Sequence, residues 1–178
     1  RYLWGQSRTQ EVATFVLRSD SYGCAVSQDG RYVAAADKFE VSLWDLGSRR
    51  QVASLAIPDE SPLADDMAFD PQGKILAVPV TDLGIRLWNL ETMKPMAPVL
   101  PFTPRFAHGL AFSPDGRWLA IAAGQRYGDG IPGEVRVWDT SNWQHRLTLA
   151  GVRDWLTRVK FSPDGKWVAA SGSGGIWK

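Results

Sequence analysis

The chain has 178 residues, 44% hydrophobic and 22% charged, with a formal net charge of +1. That length allows a substantial core, and the balanced charge argues against a nucleic-acid binder, which carries a basic face or stripe. The single cysteine, Cys24, excludes an internal disulfide framework and fits a reducing, cytoplasmic compartment, and no apolar run of about 18 residues is present to form a membrane helix.

Residues 1–20 run from Arg1, without a starting Met, into Leu3-Trp4. The stretch from Leu3 to Leu17 aligns at a constant offset of 40 with Leu43-Trp44 through Ile57, Val12 matching Val52 and Ala13 matching Ala53. It reads as strands c and d, the second half of a repeat, and the chain is therefore expected to be a piece of a longer protein. Residues 21–60 read as a full unit with strand a at 23–27, b at 31–36, c at 40–45 and d at 51–57. Residues 61–104 repeat it, with a near 65–69, b at 74–79, c at 84–89 and d at 95–100. Pro95 and Pro98 cannot donate to a ladder, so this strand d is expected at a sheet edge.

Residues 105–152 form a third unit, lengthened between strands b and c by Gly124-Gln125-Arg126-Tyr127-Gly128-Asp129-Gly130-Ile131-Pro132-Gly133. Insertions in repeat folds go to loops, often on the binding face. Residues 153–178 supply strands a and b of a partial unit. Gly165 and Trp177 are 12 residues apart, against 14, 15 and 22 between turn glycine and strand-c Trp earlier, so Trp177 is expected in a loop.

Two signals set this phase. The turns Ser27-Gln28-Asp29-Gly30, Asp70-Pro71-Gln72-Gly73, Ser113-Pro114-Asp115-Gly116 and Ser162-Pro163-Asp164-Gly165 lie between apolar runs. There Pro pre-sets φ, Asp bonds its own backbone and Gly takes the left-handed conformation, which makes each a β-hairpin. Leu43-Trp44-Asp45, Leu87-Trp88-Asn89 and Val137-Trp138-Asp139 recur in step. A period of about 40 to 50 residues with turn-rich strands means stacked repeats. The strand-b runs Tyr32-Val33-Ala34-Ala35-Ala36, Trp118-Leu119-Ala120-Ile121-Ala122 and Trp167-Val168-Ala169-Ala170 are apolar without alternation, so both faces of each sheet require cover.

These motifs resemble the WD-repeat β-propeller family, in particular its bacterial members, across essentially the whole chain. The resemblance implies an all-β fold of propeller blades, each of four antiparallel strands: three full blades and a half blade at each end. Either an open arc of a larger propeller or a four-bladed ring satisfies that strand count. An open arc leaves the apolar faces of its first and last blades bare and is expected to self-associate or to join further blades. The family's Gly-His before strand a is missing where Val152 stands, His108 lies too close to its strand, and only Asp82 matches the Asp of the b–c turn well, Asp37 approximately. The hydrogen-bonded network of the family is therefore not carried over, and apolar packing, about 1.5 to 3 kcal/mol for each large side chain buried, is expected to hold the blades.

The resemblance also implies a function: a non-catalytic scaffold binding a protein or peptide partner at the rim shared by the d–a and b–c loops. On this sequence that rim includes Tyr22, Lys38, Phe39, Phe106, Arg126, Tyr127, Arg153 and Trp155, aromatic and Arg side chains being what an interface anchor needs. Trp155 and Phe106 have a competing role, packing the junction between blades. The alternative is the propeller portion of a larger hydrolase or protein kinase with its catalytic domain outside these residues.

Chemistry within the chain is sparse. Gly128-Asp129-Gly130-Ile131-Pro132-Gly133 matches G-x-G-x-x-G, but the next residues, Glu134-Val135-Arg136-Val137-Trp138, read as a strand and not the helix a dinucleotide needs, so no cofactor is expected. His108 and His145 lack metal-ligand spacing, so no metal is expected. No G-x-S-x-G elbow exists, and Cys24 sits in an apolar run as a small hydrophobe, so no catalytic residue is assigned. Asp65 and Asp66, adjacent and hence on opposite faces of a strand, are expected to cap and solvate a loop.

Overall fold

The computed structural model describes residues 23–37, 40–56, 66–80, 83–102, 107–124, 132–152, 155–172 and 175–177. Among these there is no helix. The first sheet comprises β1 (Gly23–Val26), β2 (Tyr32–Ala36), β3 (Glu40–Asp45) and β4 (Arg50–Ala56). The second comprises β5 (Ala68–Phe69), β6 (Ile75–Val80), β7 (Gly84–Asn89) and β8 (Lys94–Leu100), and the third β9 (Ala107–Phe112), β10 (Trp118–Ala123), β11 (Gly133–Asp139) and β12 (Gln144–Val152). The fourth has β13 (Leu156–Phe161), β14 (Val168–Gly172) and β15 (Gly175–Trp177).

Every sheet is an antiparallel meander in chain order, β1-β2-β3-β4 and its equivalents. The edge position required by Pro95 and Pro98 is the one observed, since β8 is the outermost strand of its sheet. One expectation is corrected. Trp177 is not in a loop but in a third strand, paired with Ala170, and Gly172 pairs with Gly175 across only two residues. That tight connection shortens the path from turn glycine to Trp.

Three apolar clusters join the sheets in sequence, and each is built from alternate residues of its strands, so every sheet has a front that meets the next sheet and a back that meets the one before. The first sheet's front gives Tyr32, Ala34, Ala36, Val41, Leu43 and Leu55, which pack on Met67, Leu76, Val78, Val80 and Trp88 of the second. The second sheet's front, with Ala77, Ile85, Leu87 and Leu100, packs on Leu110, Leu119, Ile121, Ala123 and Trp138. The third gives Ala111, Ala120, Ala122, Val135 and Val137, which pack on Leu156, Val159 and Ala170. Leu43, Leu76, Ile85, Leu87, Leu119 and Ile121 are fully buried. Alanines fill strand b because only small side chains let both faces of a sheet be approached closely. The sheets form an arc. The back of the first at Cys24 and Val26 and the front of the fourth at Trp167 are exposed, so these two faces are not packed on each other.

The a–b turns repeat one device. Ser113 Oγ donates to Asp115 Oδ1 (2.5 Å) and accepts from the Trp118 N–H (3.0 Å), while Asp115 Oδ1 accepts from the Arg117 N–H (3.1 Å). Ser27 with Asp29 and Ser162 with Asp164 do the same. In the second unit Asp70 replaces serine and Gln72 replaces aspartate; Asp70 Oδ1 accepts directly from the Lys74 and Ile75 N–H groups at 2.7 and 2.6 Å. One carboxylate thus fills two roles. The turn glycines have φ between 67° and 72°, and the ring of Pro71 lies against Gly116 as that of Pro114 lies against Gly165, so successive turns touch at one end of the arc.

At the c–d turns the residue after each Trp accepts from the chain ahead: Asp45 from Ser48 N–H (2.7 Å), Asn89 from Thr92 N–H (2.8 Å) and Asp139 from Ser141 N–H (3.0 Å). Each turn ends on a left-handed residue, Arg49, Met93 or Trp143, with φ of 54° to 56°. In the third unit Trp138 Nε1 is buried with no hydrogen-bond partner among the described residues, so that tryptophan contributes there by packing.

The carboxyls of Asp29, Asp115 and Asp164 are held below the usual carboxylate range, first by the serine hydroxyl and then by the backbone N–H two residues on. Those of Asp45 and Asp139 are lowered by Ser48 and Ser141. A carboxyl depressed in the folded state contributes stability that is present above its unfolded value, about pH 4, and is lost as pH falls through the folded values. The unfolding midpoint is therefore expected to fall below about pH 4, and Ser113→Ala to cost about 1 to 2 kcal/mol at neutral pH with a flatter acid limb. A Ser113→Ala variant with the stability and acid profile of the parent, in thermal melts at a series of pH values, contradicts this assignment of the turn.

Candidate functional site

Of the eight rim residues expected from the sequence, Tyr22, Lys38, Phe39, Phe106, Arg126, Tyr127 and Arg153 lie outside the described residues. Trp155 is described, and it packs. It is half-buried just before β13, and its ring meets His108 edge to face with centroids 5.3 Å apart. A Cβ on Gly124 would stand 2.6 Å from the Trp155 Cα, so the end of β10 approaches this backbone as only glycine allows. Trp155 thus serves the junction between the third and fourth sheets, the competing role it had in the sequence.

The innermost strands β1, β5, β9 and β13 surround a cavity of about 510 Å3. Its wall includes Cys24, Val26, Asp66, Met67, Leu110, Phe112, Lys160 and Phe161, and Pro71, Pro114 and Pro163 close it near the a–b turns. Each of these four strands is the innermost of its sheet, so backbone groups of the inner edges border this axial cleft beside the side chains.

Charge enters the cleft at two places. Asp66 is half-buried, and burial pushes its carboxyl up, against the opposing pull of Lys160, the Leu110 N–H and Arg158. Lys160 and Arg158 are exposed on β13. Asp66 is therefore not the solvated loop carboxylate expected beside Asp65, which lies outside the described residues. It faces two cations across the inner strands. Reading the sequence did not single out either cation, though a signal is present: Lys160 stands where the other units have Ala25, Ala68 and Ala111, and Arg158 where two of them have Gly23 and Gly109.

Other residues singled out in the sequence are placed as follows. Cys24 is exposed on the wall of the cleft rather than enclosed as a small hydrophobe. His145 is exposed on β12, 2.9 Å from the Thr148 hydroxyl and edge-on to Trp138. Gly133–Asp139 is the strand expected after the glycine-rich stretch. Among the described residues no group of three or more His, Cys, Asp and Glu is arranged to hold a metal, and no helix is long and apolar enough to cross a membrane.

Compared with known families, residues 105–139 and 143–178 match the WD domain, G-beta repeat model. The first match covers β9 to β11; the second covers β12 together with β13, β14 and β15. No curated protein matches the chain.

Asp66 gives a direct test of the cleft's electrostatics. A carboxyl raised in the folded state contributes stability present below its unfolded value, about pH 4, and loses it as pH rises through the folded value. Asp66→Asn is expected to melt at the same temperature as the parent at about pH 3 and above it at about pH 7. A variant less stable than the parent at pH 7 shows instead that the cations outweigh burial.

Proposed function

We propose that this chain, whose residues 105–139 and 143–178 are WD repeats, is a non-catalytic scaffold that holds a protein or peptide partner at the loop rim and in the axial cleft. WD repeats mediate protein interaction in general. The observation that carries the finer reading is the cleft: it is bordered by the innermost strands, Phe112, Phe161 and the exposed cation Lys160 are among its lining, and Lys160 and Arg158 both act on half-buried Asp66. Two cations against one carboxylate select an acidic or carboxylate-terminated segment, and a cleft bordered by four strands suits one in extended form. The balanced overall charge supports a protein partner over a nucleic acid. The rim loops, including Arg126 and Tyr127 in the long insertion, supply the remaining anchors in this proposal, and the single Cys supports a cytoplasmic location.

The test is binding of a panel of labelled extended peptides, measured by fluorescence anisotropy. Acidic peptides are expected to bind better than basic ones, more strongly at low salt, and Lys160→Glu with Arg158→Glu to weaken them by more than about tenfold. Arg126→Ala with Tyr127→Ala is expected to weaken binding with no change in melting temperature. Equal affinity for acidic and basic peptides, or indifference to the charge reversal, overturns the assignment of the cleft.

A further inference from the structure

The repeats serve as one another's controls, and they single out the junction of the first two sheets. At the next two junctions a turn proline lies on the following turn's glycine: the Pro71 ring stands 3.6 Å from the place a Gly116 Cβ would take, and that of Pro114 3.7 Å from the place at Gly165. The first turn has Gln28 where the others have proline. There it is Asp29 that faces Gly73, with Oδ2 3.1 Å from the place of a Cβ. The c–d turn differs as well. Trp143 packs on the cluster between the second and third sheets, whereas the smaller Met93, at the same turn position and equally left-handed, packs on the cluster between the first and second. Between these turns lies a groove of about 300 Å3.

Its floor is apolar, with Tyr32 and Leu90 buried and Met93 half-buried. Its walls are charged. Arg31 lies over the Tyr32 ring at 4.7 Å and pairs with Asp45 at 3.4 Å, while Lys74 pairs with Glu91 at 3.3 Å. Asp29 is a third carboxylate. Its Oδ1 accepts from the Ser27 hydroxyl and the Arg31 N–H, donors that carry no charge, at 2.6 and 3.0 Å. Its Oδ2, the oxygen turned to Gly73, accepts no hydrogen bond among the described residues. The Arg31 guanidinium acts on Asp29 as well as on Asp45, so the walls and the direct partners of their charges hold three carboxylates against two cations. Lys74 and Glu91 are both more than half exposed, and a pair of that kind is worth little and yields readily to an incoming charge. An anion has to draw Arg31 away from two carboxylates and an aromatic ring. A cation meets an outward carboxylate oxygen and a weakly held Glu91.

We propose that this groove, at the opposite end of the strands from the b–c and d–a loops, is a second recognition site that takes one basic side chain, Arg or Lys, of a protein partner. The aliphatic stem lies against Met93, and the charged head sits between Asp29 and Glu91. The site is separate from the axial cleft and selects the opposite charge.

The experiment is NMR titration of the full chain with N-acetylarginine amide, followed at the backbone amides of Asp29 and Gly73, with the glutamine and glutamate derivatives as neutral and acidic controls. The arginine derivative is expected to give saturable shifts with a dissociation constant on the order of 1 mM, and the glutamine derivative none. Asp29→Asn is expected to weaken binding by more than about tenfold. Asp115→Asn removes the same charge from the equivalent turn of the third unit and is expected to leave binding unchanged, which separates the groove from the turn. Met93→Trp, the residue of the third unit, is expected to fill the groove and abolish binding with the fold retained by circular dichroism. The absence of saturable shifts up to about 50 mM, well above a millimolar constant, overturns the proposal. So does equal weakening by Asp29→Asn and Asp115→Asn, binding that survives in folded Met93→Trp, or tighter binding of the glutamate derivative, which gives the groove to Arg31 and Lys74.

Discussion

The structure depends on one constraint: each sheet is apolar on both faces, and nothing in its own unit can cover them. Strand b states the problem most plainly. In β10, Leu119 and Ile121 face the second sheet while Ala120 and Ala122 face the fourth, all fully buried. Large residues fall on one side of this strand and alanine on the other, so that Leu119 and Ile121 meet Ala77 of the preceding strand b at native packing density. The fold is then a series of equivalent interfaces, its stability a sum over neighbours.

Between these interfaces the hairpins are largely self-sufficient in their polar groups. The Ser-Asp pair of the a–b turn closes on backbone N–H groups within five residues, and the Asx turn after each Trp does so within three. The substitution in the second unit shows what the device requires. Asp70 reaches the same region of backbone without serine, so the demand is for an acceptor at that height and not for one residue type. Satisfying the turns locally leaves the sheet faces free of polar obligations, which is the condition for packing them on both sides.

Much of this was legible in the residues. Period, turn chemistry and strand-c tryptophans place the strands of the first two units to within about three residues, β5 being the shortest against its expected range. β15 departs from the expectation because the spacing from Gly165 to Trp177 is short against the earlier connections; Gly172 and Gly175, with two residues between them, allow a tighter one. The cleft was missed for a different reason. Asp66 looked like half of a surface pair, and Lys160 and Arg158 look like ordinary surface cations until compared with the alanines and glycines at their repeat positions. Convergence of β1, β5, β9 and β13 on one cleft is a tertiary fact that no single unit encodes.

The functional reading rests on the same constraint. Packing consumes the faces of the sheets, so the proposed contacts fall at the inner strands and the loops. Amide hydrogen exchange under native conditions tests the central claim most directly. If each sheet is held by both neighbours, the central amides of β6 and β10 exchange only with global unfolding and with one common opening free energy, while those of β8 and β12 exchange by local opening. Fast local exchange in β10, or protection that differs between its Leu119/Ile121 and Ala120/Ala122 amides, would contradict it.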